Sequence, residues 1–150
     1  MKVLLVCSSG GHFKALYQLR PYWGVRDRQW VTFRTNVTEA QLEGESVDWA
    51  WSPTNRNIPN LIRNLGLAWK ILRRDRPDLV ISTGAGVAVP FLMLGKLLGS
   101  RTIFIESITR VNDLSLSAKL SLPFLNVLYV HWVELQHRYP KAKLITASLD

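Results

Sequence analysis

The chain has 150 residues, 47% of them hydrophobic and 20% charged, a composition typical of one globular domain with a substantial core. These values exclude a disordered tail and a small disulfide-stapled scaffold, and the single cysteine, Cys7, excludes an internal disulfide. A net charge of +8 favours a polyanionic partner, which could be nucleic acid, an anionic membrane surface or a phosphorylated ligand.

The chain opens on an apolar run and a glycine turn. Residues 2–7 predict a strand that is buried on both faces of a parallel sheet. The sequence Ser-Ser-Gly-Gly at 8–11 ends this strand, and apolar residues at helical spacing predict a helix over 12–22. No apolar signal segment precedes the strand, so together with the lone cysteine we expect a cytosolic, reducing setting.

The rest of the chain alternates between strand and helix patterns. We predict strands over 29–34, 47–51, 79–82, 102–105 and 127–130, and helices over 36–42, 58–75, 87–98 and 116–122. This alternation predicts an α/β fold with a doubly wound parallel sheet of Rossmann-like type. Ligands bind such sheets beyond the carboxyl ends of the strands, and the strand at 79–82 is expected beside the first strand.

Two glycine turns are candidate anion sites. The turns at 7–12 and 82–86 each join a predicted buried strand to a helix, an arrangement in which backbone N–H groups can receive a phosphate. Neither turn has the spacing of a Walker loop or of the full dinucleotide fingerprint. For each glycine taken singly, a tight turn at positive φ explains the residue equally well.

Two side chains beside these turns could move a proton. His12 begins the first helix, and an imidazole there can accept a proton from a hydroxyl near neutral pH; the alternative is a histidine that packs or caps at a helix start. Glu106 ends the fifth strand, where we expect its carboxylate to face the same cleft. The polar loop after it, which includes Ser107, Arg110 and Asn112, is either part of the site or a helix N-cap region.

The helix predicted over 58–75 combines an apolar face with concentrated positive charge. Between Arg56 and Arg76 there are six Lys or Arg residues and one Asp, a local net charge of +5. Basic amphipathic helices can lie on anionic lipid, and the alternative is a helix that covers the sheet and exposes a solvated basic face. The candidate lipid contacts are Arg63, Trp69, Lys70, Arg73 and Arg74.

Some apolar residues fall outside the expected core. Leu67 and Ile71 lie off the apolar stripe of that helix, and the run at 90–94 is also apolar, so we expect extra exposed apolar surface. Trp30 and Trp132, in contrast, are expected in the core.

Metal ions and nucleic acids find little support in the sequence. The three histidines are scattered, and no Asp-x-Asp pair could hold a divalent ion against a nucleotide diphosphate, so we expect no metal site. No RNA-binding or DNA-binding motif accompanies the positive charge, and we therefore expect no nucleic-acid partner.

Separated motifs, in order along nearly the whole chain, resemble a known family. They are CSSGGH at 7–12, RPDLVISTGAGVAVPF at 76–91, IESITRVNDLSLSAKL at 105–120, VHWVEL at 130–135 and YPKA at 139–142. Together they resemble the ALG fourteen-like proteins and their bacterial PssD-type counterparts, and more distantly the amino-terminal domain of MurG, a lipid-linked N-acetylglucosamine transferase. Eukaryotic members begin with a membrane-spanning helix that this sequence lacks, so the resemblance implies a bacterial type that docks on the membrane peripherally.

The resemblance implies a function. Residues 1–150 would be a single domain, the acceptor-side half of a GT-B glycosyltransferase that is inactive alone. An ALG thirteen-like or PssE-like catalytic subunit would bind the UDP-sugar, in the manner of a UDP-N-acetylglucosamine transferase. The pair would extend a polyprenyl-diphosphate-linked saccharide at the cytoplasmic face of a membrane, with inversion and without a cofactor. The alternative is a non-catalytic recruiter that brings a separate catalytic subunit to the membrane.

The resemblance also assigns roles by position. His12 and Glu106 would be catalytic, and Ser107, Arg110 and Asn112 would form an acceptor loop. The acceptor diphosphate would be held by Ser9, Gly10, Gly11, Thr83, Gly84, Ala85 and Gly86.

Overall fold

The computed structural model describes residues 1–54 and 56–145, and this part of the chain contains seven strands and seven α-helices. The strands are β1 (Lys2–Cys7), β2 (Asp27–Thr32), β3 (Val47–Trp49), β4 (Leu79–Gly84), β5 (Arg101–Ile105), β6 (Val127–Val130) and β7 (Lys143–Leu144). The helices are α1 (Gly11–Tyr17), α2 (Arg20–Trp23), α3 (Asn36–Gln41), α4 (Ile58–Asp75), α5 (Ala88–Leu97), α6 (Leu116–Ser121) and α7 (Val133–Arg138).

The strands form one parallel sheet in the order β3-β2-β1-β4-β5-β6-β7. The chain runs outward from β1 to β3, crosses back through α4 and continues outward from β4 in the other direction. The order of the strands therefore reverses between β1 and β4, which lie side by side as predicted. This topology confirms the α/β class with a doubly wound, Rossmann-like parallel sheet.

The core lies on both faces of the sheet, because alternate side chains of a strand point to opposite sides. On β1, Leu4 and Val6 belong to the cluster that packs against α4, α5 and α6. Val3 and Leu5 belong to the cluster that packs against α1 and α2. All four side chains are fully buried, which explains why β1 reads as a nearly continuous apolar run.

Three elements differ from the sequence prediction. The single helix predicted over 12–22 is two helices, α1 and α2, which are separated at Gln18 and Leu19. Pro21 lies in the first turn of α2, and since proline has no N–H it cannot continue the hydrogen bonds of α1. The short elements α7 and β7, near the end of the described chain, were not predicted.

The buried face of α4 agrees with the predicted one only in part, at Ala68 and Leu72. Ala68, Ile71 and Leu72 are buried, and Leu67 packs against the same core, so the expectation that Leu67 and Ile71 lie off the buried stripe is wrong. In the first half of the helix, two asparagines, Asn60 and Asn64, point inward. The apolar side chains Ile58, Leu61, Ile62 and Trp69 are exposed.

Two further expectations about exposure are wrong and one is confirmed. In the run at 90–94, Pro90, Phe91 and Leu92 are buried because α5 packs between the sheet, α4 and α6. Trp132 is 39% exposed, and its indole N–H donates to the carbonyl of Ile108 at 2.6 Å. Trp30 is fully buried, as expected.

The inward asparagines of α4 hold the loop that precedes the helix. The side-chain oxygen of Asn64 accepts the Trp51 N–H at 2.9 Å, and its amide donates to the Trp51 carbonyl at 3.0 Å. The Asn60 amide donates to the carbonyl of Pro53 at 2.8 Å. These buried amides are fully used, which is the condition under which polar groups are tolerated in a core.

We expect Asn64→Ala to lower the free energy of unfolding by about 1–3 kcal/mol, because both backbone groups of Trp51 lose their partner. Equilibrium denaturation in urea measures this change. Asn36→Ala is the matched control, since Asn36 is exposed at the start of α3, and it should change stability by less than about 0.5 kcal/mol. Equal stability of the two variants would contradict a supporting role for Asn64.

Candidate functional site

The two glycine turns meet where the strand order reverses. Because β1 and β4 are hydrogen-bonded neighbours, the turns that follow them leave the same edge of the sheet side by side. The Ser8 N–H donates to the carbonyl of Gly84 at 2.9 Å and joins the two turns directly. This edge is the position at which doubly wound sheets bind ligands.

His12 and Thr83 form a second, reciprocal link between the turns. Nδ1 of His12 lies 2.8 Å from the Thr83 carbonyl oxygen, and the Thr83 hydroxyl donates to the His12 carbonyl at 2.5 Å. Since a carbonyl oxygen can only accept, Nδ1 of His12 carries the hydrogen of that bond. In the neutral imidazole the other nitrogen, Nε2, is then unprotonated and able to accept a proton.

Position 84 requires glycine for two reasons, the backbone conformation there and the closeness of the His12 ring. Its φ is +111°, a value that residues with a side chain rarely adopt. A Cβ at this position would lie 2.8 Å from Nδ1 of His12, inside van der Waals contact. Gly10 also has a positive φ, +78°, but a Cβ there would meet nothing within 4 Å. The glycine at 84 therefore makes room for the histidine.

Glu106 is buried and fully hydrogen-bonded. The residue is 1% exposed, and one carboxylate oxygen accepts the Ser107 N–H at 2.9 Å. The other oxygen accepts the Ser115 N–H at 2.8 Å. Glu106 therefore closes the loop 107–115 by holding its two ends, and both of its oxygens are occupied in doing so.

A second carboxylate holds the far side of this loop. Asp113 accepts hydrogen bonds from the Lys119 ammonium at 2.6 Å and the Tyr139 hydroxyl at 2.9 Å. These two donors lower the pKa of Asp113 to about 2, so the carboxyl is ionised throughout the physiological range. Arg138 donates to the carbonyl of Asn112 at 3.1 Å, so α7 also supports the loop.

Two cavities open at this edge of the sheet and share the residues at their junction. The first has a volume of about 600 Å³ and lies beside α1. The second has a volume of about 840 Å³ and extends towards α4 and α6. The shared lining residues are His12, Glu106, Ser107 and Thr109.

The outer end of the second cavity is apolar. Its wall there consists of side chains from the starts of α4 and α6 and from the start of α5, namely Ile58, Leu61, Val89, Leu116 and Leu120. Leu116 is 69% exposed and Ile58 is also 69% exposed, so the apolar wall continues onto the outer surface. The inner end is polar and includes the turn from Gly84 to Gly86.

The structure brings most of the predicted site residues together. Gly11 and Thr83 line the first cavity, and Gly84, Ala85, Gly86 and Arg110 line the second. Ser9 and Gly10 lie in the first turn, and Asn112 lies in the loop 107–115, but these three residues line neither cavity.

The predicted basic residues of α4 differ in their surroundings. Arg63 lies over the ring of Trp51 and Arg73 over the ring of Trp69, which is 49% exposed, while Lys70 is exposed. Arg74 binds Asp48 and Asp75 through short ion pairs of 2.6 and 2.8 Å. The guanidinium of Arg74 is therefore engaged within the domain.

Several lining residues were not predicted. Thr54 and Arg56 reach the second cavity from the loop before α4, and His131 reaches the first cavity from the end of β6. Arg56 was visible in the sequence as part of the basic segment, and His131 as part of the motif at 130–135. Burial lowers the pKa of the His131 imidazole, which favours its neutral form.

The described residues offer no metal site and no reactive thiol. In residues 1–54 and 56–145, no three His, Cys, Asp or Glu side chains gather as a metal ion would require. Burial raises the pKa of the Cys7 thiol to about 12, so the thiolate is not populated at neutral pH.

The fold is that of one lobe of the GT-B glycosyltransferases and related nucleotide-sugar enzymes. MurG from Acinetobacter baumannii aligns with a TM-score of 0.72 at 14% identity, over 99% of this chain and 44% of that chain. The UDP-GlcNAc 2-epimerase from Methanocaldococcus jannaschii aligns with a TM-score of 0.75 at 13% identity, over 99% of this chain and 46% of that chain.

Sequence comparison then identifies the family. The family model described as "Oligosaccharide biosynthesis protein Alg14 like" matches residues 52–148. The UDP-N-acetylglucosamine transferase subunit ALG14 of Candida albicans is 36% identical over 162 residues, covering 93% of this chain and 74% of that protein. The human protein of the same name is 31% identical over 102 residues, covering 64% of this chain and 46% of that protein. The chain belongs to the Alg14-like family, as the motifs predicted.

The chain spans less than half of several of these relatives. The matched segment covers 46% of the human protein and 40% of the Yarrowia lipolytica protein.

We expect Gly84→Ala to destabilise the domain more than Gly99→Ala. Both glycines have positive φ, so each alanine carries a backbone cost of about 1–2 kcal/mol. Only the methyl group at 84 also meets the His12 ring, which should add about 1–3 kcal/mol. Urea denaturation measures the difference, and the ring nitrogen chemical shifts of His12 should change in Gly84→Ala alone. Equal effects of the two variants would argue against the contact.

Proposed function

We propose that the chain is the acceptor-binding subunit of a two-component, inverting UDP-sugar glycosyltransferase. The observation that carries the proposal is the junction of the two cavities, where the shared residues His12 and Glu106 lie at the reversal of the strand order. The curated relatives are named UDP-N-acetylglucosamine transferase subunits, which supports UDP-N-acetylglucosamine as the donor.

The two cavities suit the three parts of a polyprenyl-diphosphate-linked saccharide. The diphosphate would lie at the turn from Gly84 to Gly86, and the polyprenyl chain would leave through the apolar end of the second cavity. The saccharide would lie in the first cavity, against side chains that include Gln18, Thr109 and His131. This orientation places the acceptor sugar beside His12.

His12 would act as the general base. Its Nδ1 hydrogen is held by the Thr83 carbonyl, which leaves Nε2 free to take the proton from an acceptor hydroxyl. As it loses its proton, the acceptor hydroxyl oxygen would attack the anomeric carbon of the donor sugar, while the bond from that carbon to the UDP oxygen breaks. The configuration at the anomeric carbon would invert, and UDP would leave as an anion. This proposal assigns no role to a metal ion.

Glu106 would support the site rather than carry the proton. Both of its oxygens accept backbone N–H groups, and the residue is 1% exposed. The carboxylate would therefore fix the loop 107–115, which presents Ser107 and Arg110 to the acceptor. This role replaces the catalytic one that the resemblance implies for Glu106.

A separate polypeptide would supply the second lobe. GT-B enzymes close a cleft between two lobes, and the curated relatives are named transferase subunits, which supports a partner polypeptide. An ALG thirteen-like or PssE-like partner would bind most of the UDP-sugar and face the two cavities. On this proposal the isolated chain does not transfer sugar, and the reconstituted pair does.

The exposed apolar stripe of α4 would dock the complex on the cytoplasmic face of a membrane. The stripe consists of Ile58, Leu61, Ile62 and Trp69, and the exposed basic side chains Arg63, Lys70 and Arg73 lie on the same helix. Apolar side chains with basic neighbours suit the surface of anionic lipid. The contact that we propose is peripheral. No helix in the described part of the chain is long and apolar enough to cross a bilayer.

We expect His12→Ala to reduce the transfer rate of the reconstituted complex by about 100-fold or more, the usual loss when a general base is removed. Initial rates with UDP-N-acetylglucosamine and a polyprenyl-diphosphate-linked acceptor measure this effect. His137→Ala is the control, because His137 is exposed on α7 and lines neither cavity. Full turnover of an intact complex that carries His12→Ala would exclude the catalytic role and favour a non-catalytic recruiter.

We expect Ile62→Glu to weaken binding to vesicles of phosphatidylglycerol and phosphatidylcholine by about tenfold, since a buried apolar side chain contributes about 1.5–3 kcal/mol. Ile62 is 62% exposed on α4, and sedimentation with the vesicles measures binding. Val25→Glu is the control, because Val25 is 82% exposed in the turn before β2, away from the stripe. Unchanged binding of Ile62→Glu would show that α4 does not touch the lipid.

A further inference from the structure

Described residues on both sides of position 55, in the loop before α4, are bonded to that helix. Asn64 bonds both backbone groups of Trp51, and Asn60 bonds the carbonyl of Pro53, so the first part of the loop is fixed to the buried face of α4. At its other end, the Asn57 side chain accepts the Asn60 N–H at 3.0 Å and caps the helix. The described residues Trp51, Pro53 and Asn57 of this loop therefore form a wall that is bonded to α4.

This loop lies directly on the second glycine turn. A Cβ at Gly86 would come within 3.3 Å of the Thr54 hydroxyl oxygen, so the two backbones approach closely. Both Thr54 and Gly86 line the second cavity. The wall, which belongs to the loop, and the turn from Gly84 to Gly86 thus form one binding surface.

Arg56 stands near the end of this wall in an uncommon conformation. Its φ is +51°, in the left-handed region that residues with a side chain seldom occupy. Its side chain lines the second cavity, although the residue is exposed to solvent. A backbone conformation of this kind has a local energetic cost and is found most often at functional sites.

Arg110 lines the same cavity from a different loop. The two ends of that loop are held by Glu106, so Arg110 also stands on a supported backbone. Within the described part of the chain, neither Arg56 nor Arg110 forms an ion pair, whereas Arg28, Arg34, Arg74 and Arg138 each do. Glu106 is the acidic residue of this cavity, and its oxygens are already bonded to backbone N–H groups.

We propose that Arg56 and Arg110 together form a two-armed clamp that selects a diphosphate over a monophosphate in the second cavity. A guanidinium binds phosphate oxygens through paired N–H donors, and two guanidinium groups from separate loops match two linked phosphates. The clamp deepens the proposed function and rests on the acceptor lying in this cavity. It adds a residue, Arg56, that neither the glycine turns nor the loop 107–115 contains.

Calorimetric titration of the full chain tests the clamp, with geranyl diphosphate and geranyl monophosphate as the probes. The wild-type chain should bind the diphosphate at least about tenfold more tightly than the monophosphate. Arg56→Ala and Arg110→Ala should each weaken diphosphate binding by about tenfold and reduce this preference. Arg101→Ala is the matched control, an exposed arginine at the start of β5 that lines neither cavity.

The other possible results of these titrations would contradict the clamp. Wild-type affinity in Arg56→Ala, equal binding of the two probes, or no binding of the diphosphate would overturn the clamp. Sugar transfer by the reconstituted complex distinguishes this proposal from the proposed function. If transfer occurs and Arg56→Ala leaves KM for the lipid acceptor unchanged, the clamp fails and the proposed function stands. If Arg56→Ala loses diphosphate binding but no transfer occurs, the clamp stands and the proposed function fails.

Discussion

The pairing of β1 with β4 is the constraint on which the site depends. Because these strands are neighbours, the turn after β1 and the turn after β4 can bond to each other through Ser8 and Gly84. The same adjacency brings His12 to Thr83, where two reciprocal hydrogen bonds fix the histidine and its tautomer. A residue 71 positions away in sequence thus determines which imidazole nitrogen is free.

The loops that complete the site are fixed by polar groups in places where an apolar side chain would be the simpler choice. Asn64 in the core of α4 and Glu106 at the end of β5 are almost completely buried, and each bonds the backbone of an adjoining loop. Such groups add little net stability beyond an apolar core, but they determine one loop conformation among many. Asn64 and Glu106 therefore serve the geometry of the binding surface.

The sequence was sufficient to predict the strand and helix alternation, the neighbouring positions of β1 and β4, and the two glycine turns. These features depend on local patterns and on general rules of parallel sheets. The orientation of α4 could not be predicted, because its sequence carries two apolar stripes. One contains Ile58, Leu61 and Ile62, and the other contains Ile71 and Leu72. The buried stripe also carries Asn60 and Asn64, whose partners in the preceding loop are not visible in the local sequence pattern.

The occupied oxygens of Glu106 were also beyond sequence reasoning. Their partners include the N–H of Ser115, nine residues later, and that contact exists only after the loop 107–115 has folded back. From the sequence alone, the carboxylate at the end of a strand is expected to be a free group that faces the cleft. The break between α1 and α2 is a different case, because the lack of an N–H at Pro21 is visible in the sequence itself.

The ion pairs distinguish two groups among the basic residues that give the chain its net charge of +8. Arg28 and Arg74 are bound to carboxylates and stabilise the fold, so their charge is largely neutralised where it stands. Arg56 and Arg110 form no ion pair in the described part of the chain, and both line the second cavity. The negative charge of Glu106 in the same cavity is turned towards two backbone N–H groups. Two guanidinium groups without an ion-pair partner in the described residues therefore line the same cavity as the turn from Gly84 to Gly86, and positive charge of this kind favours an anionic ligand.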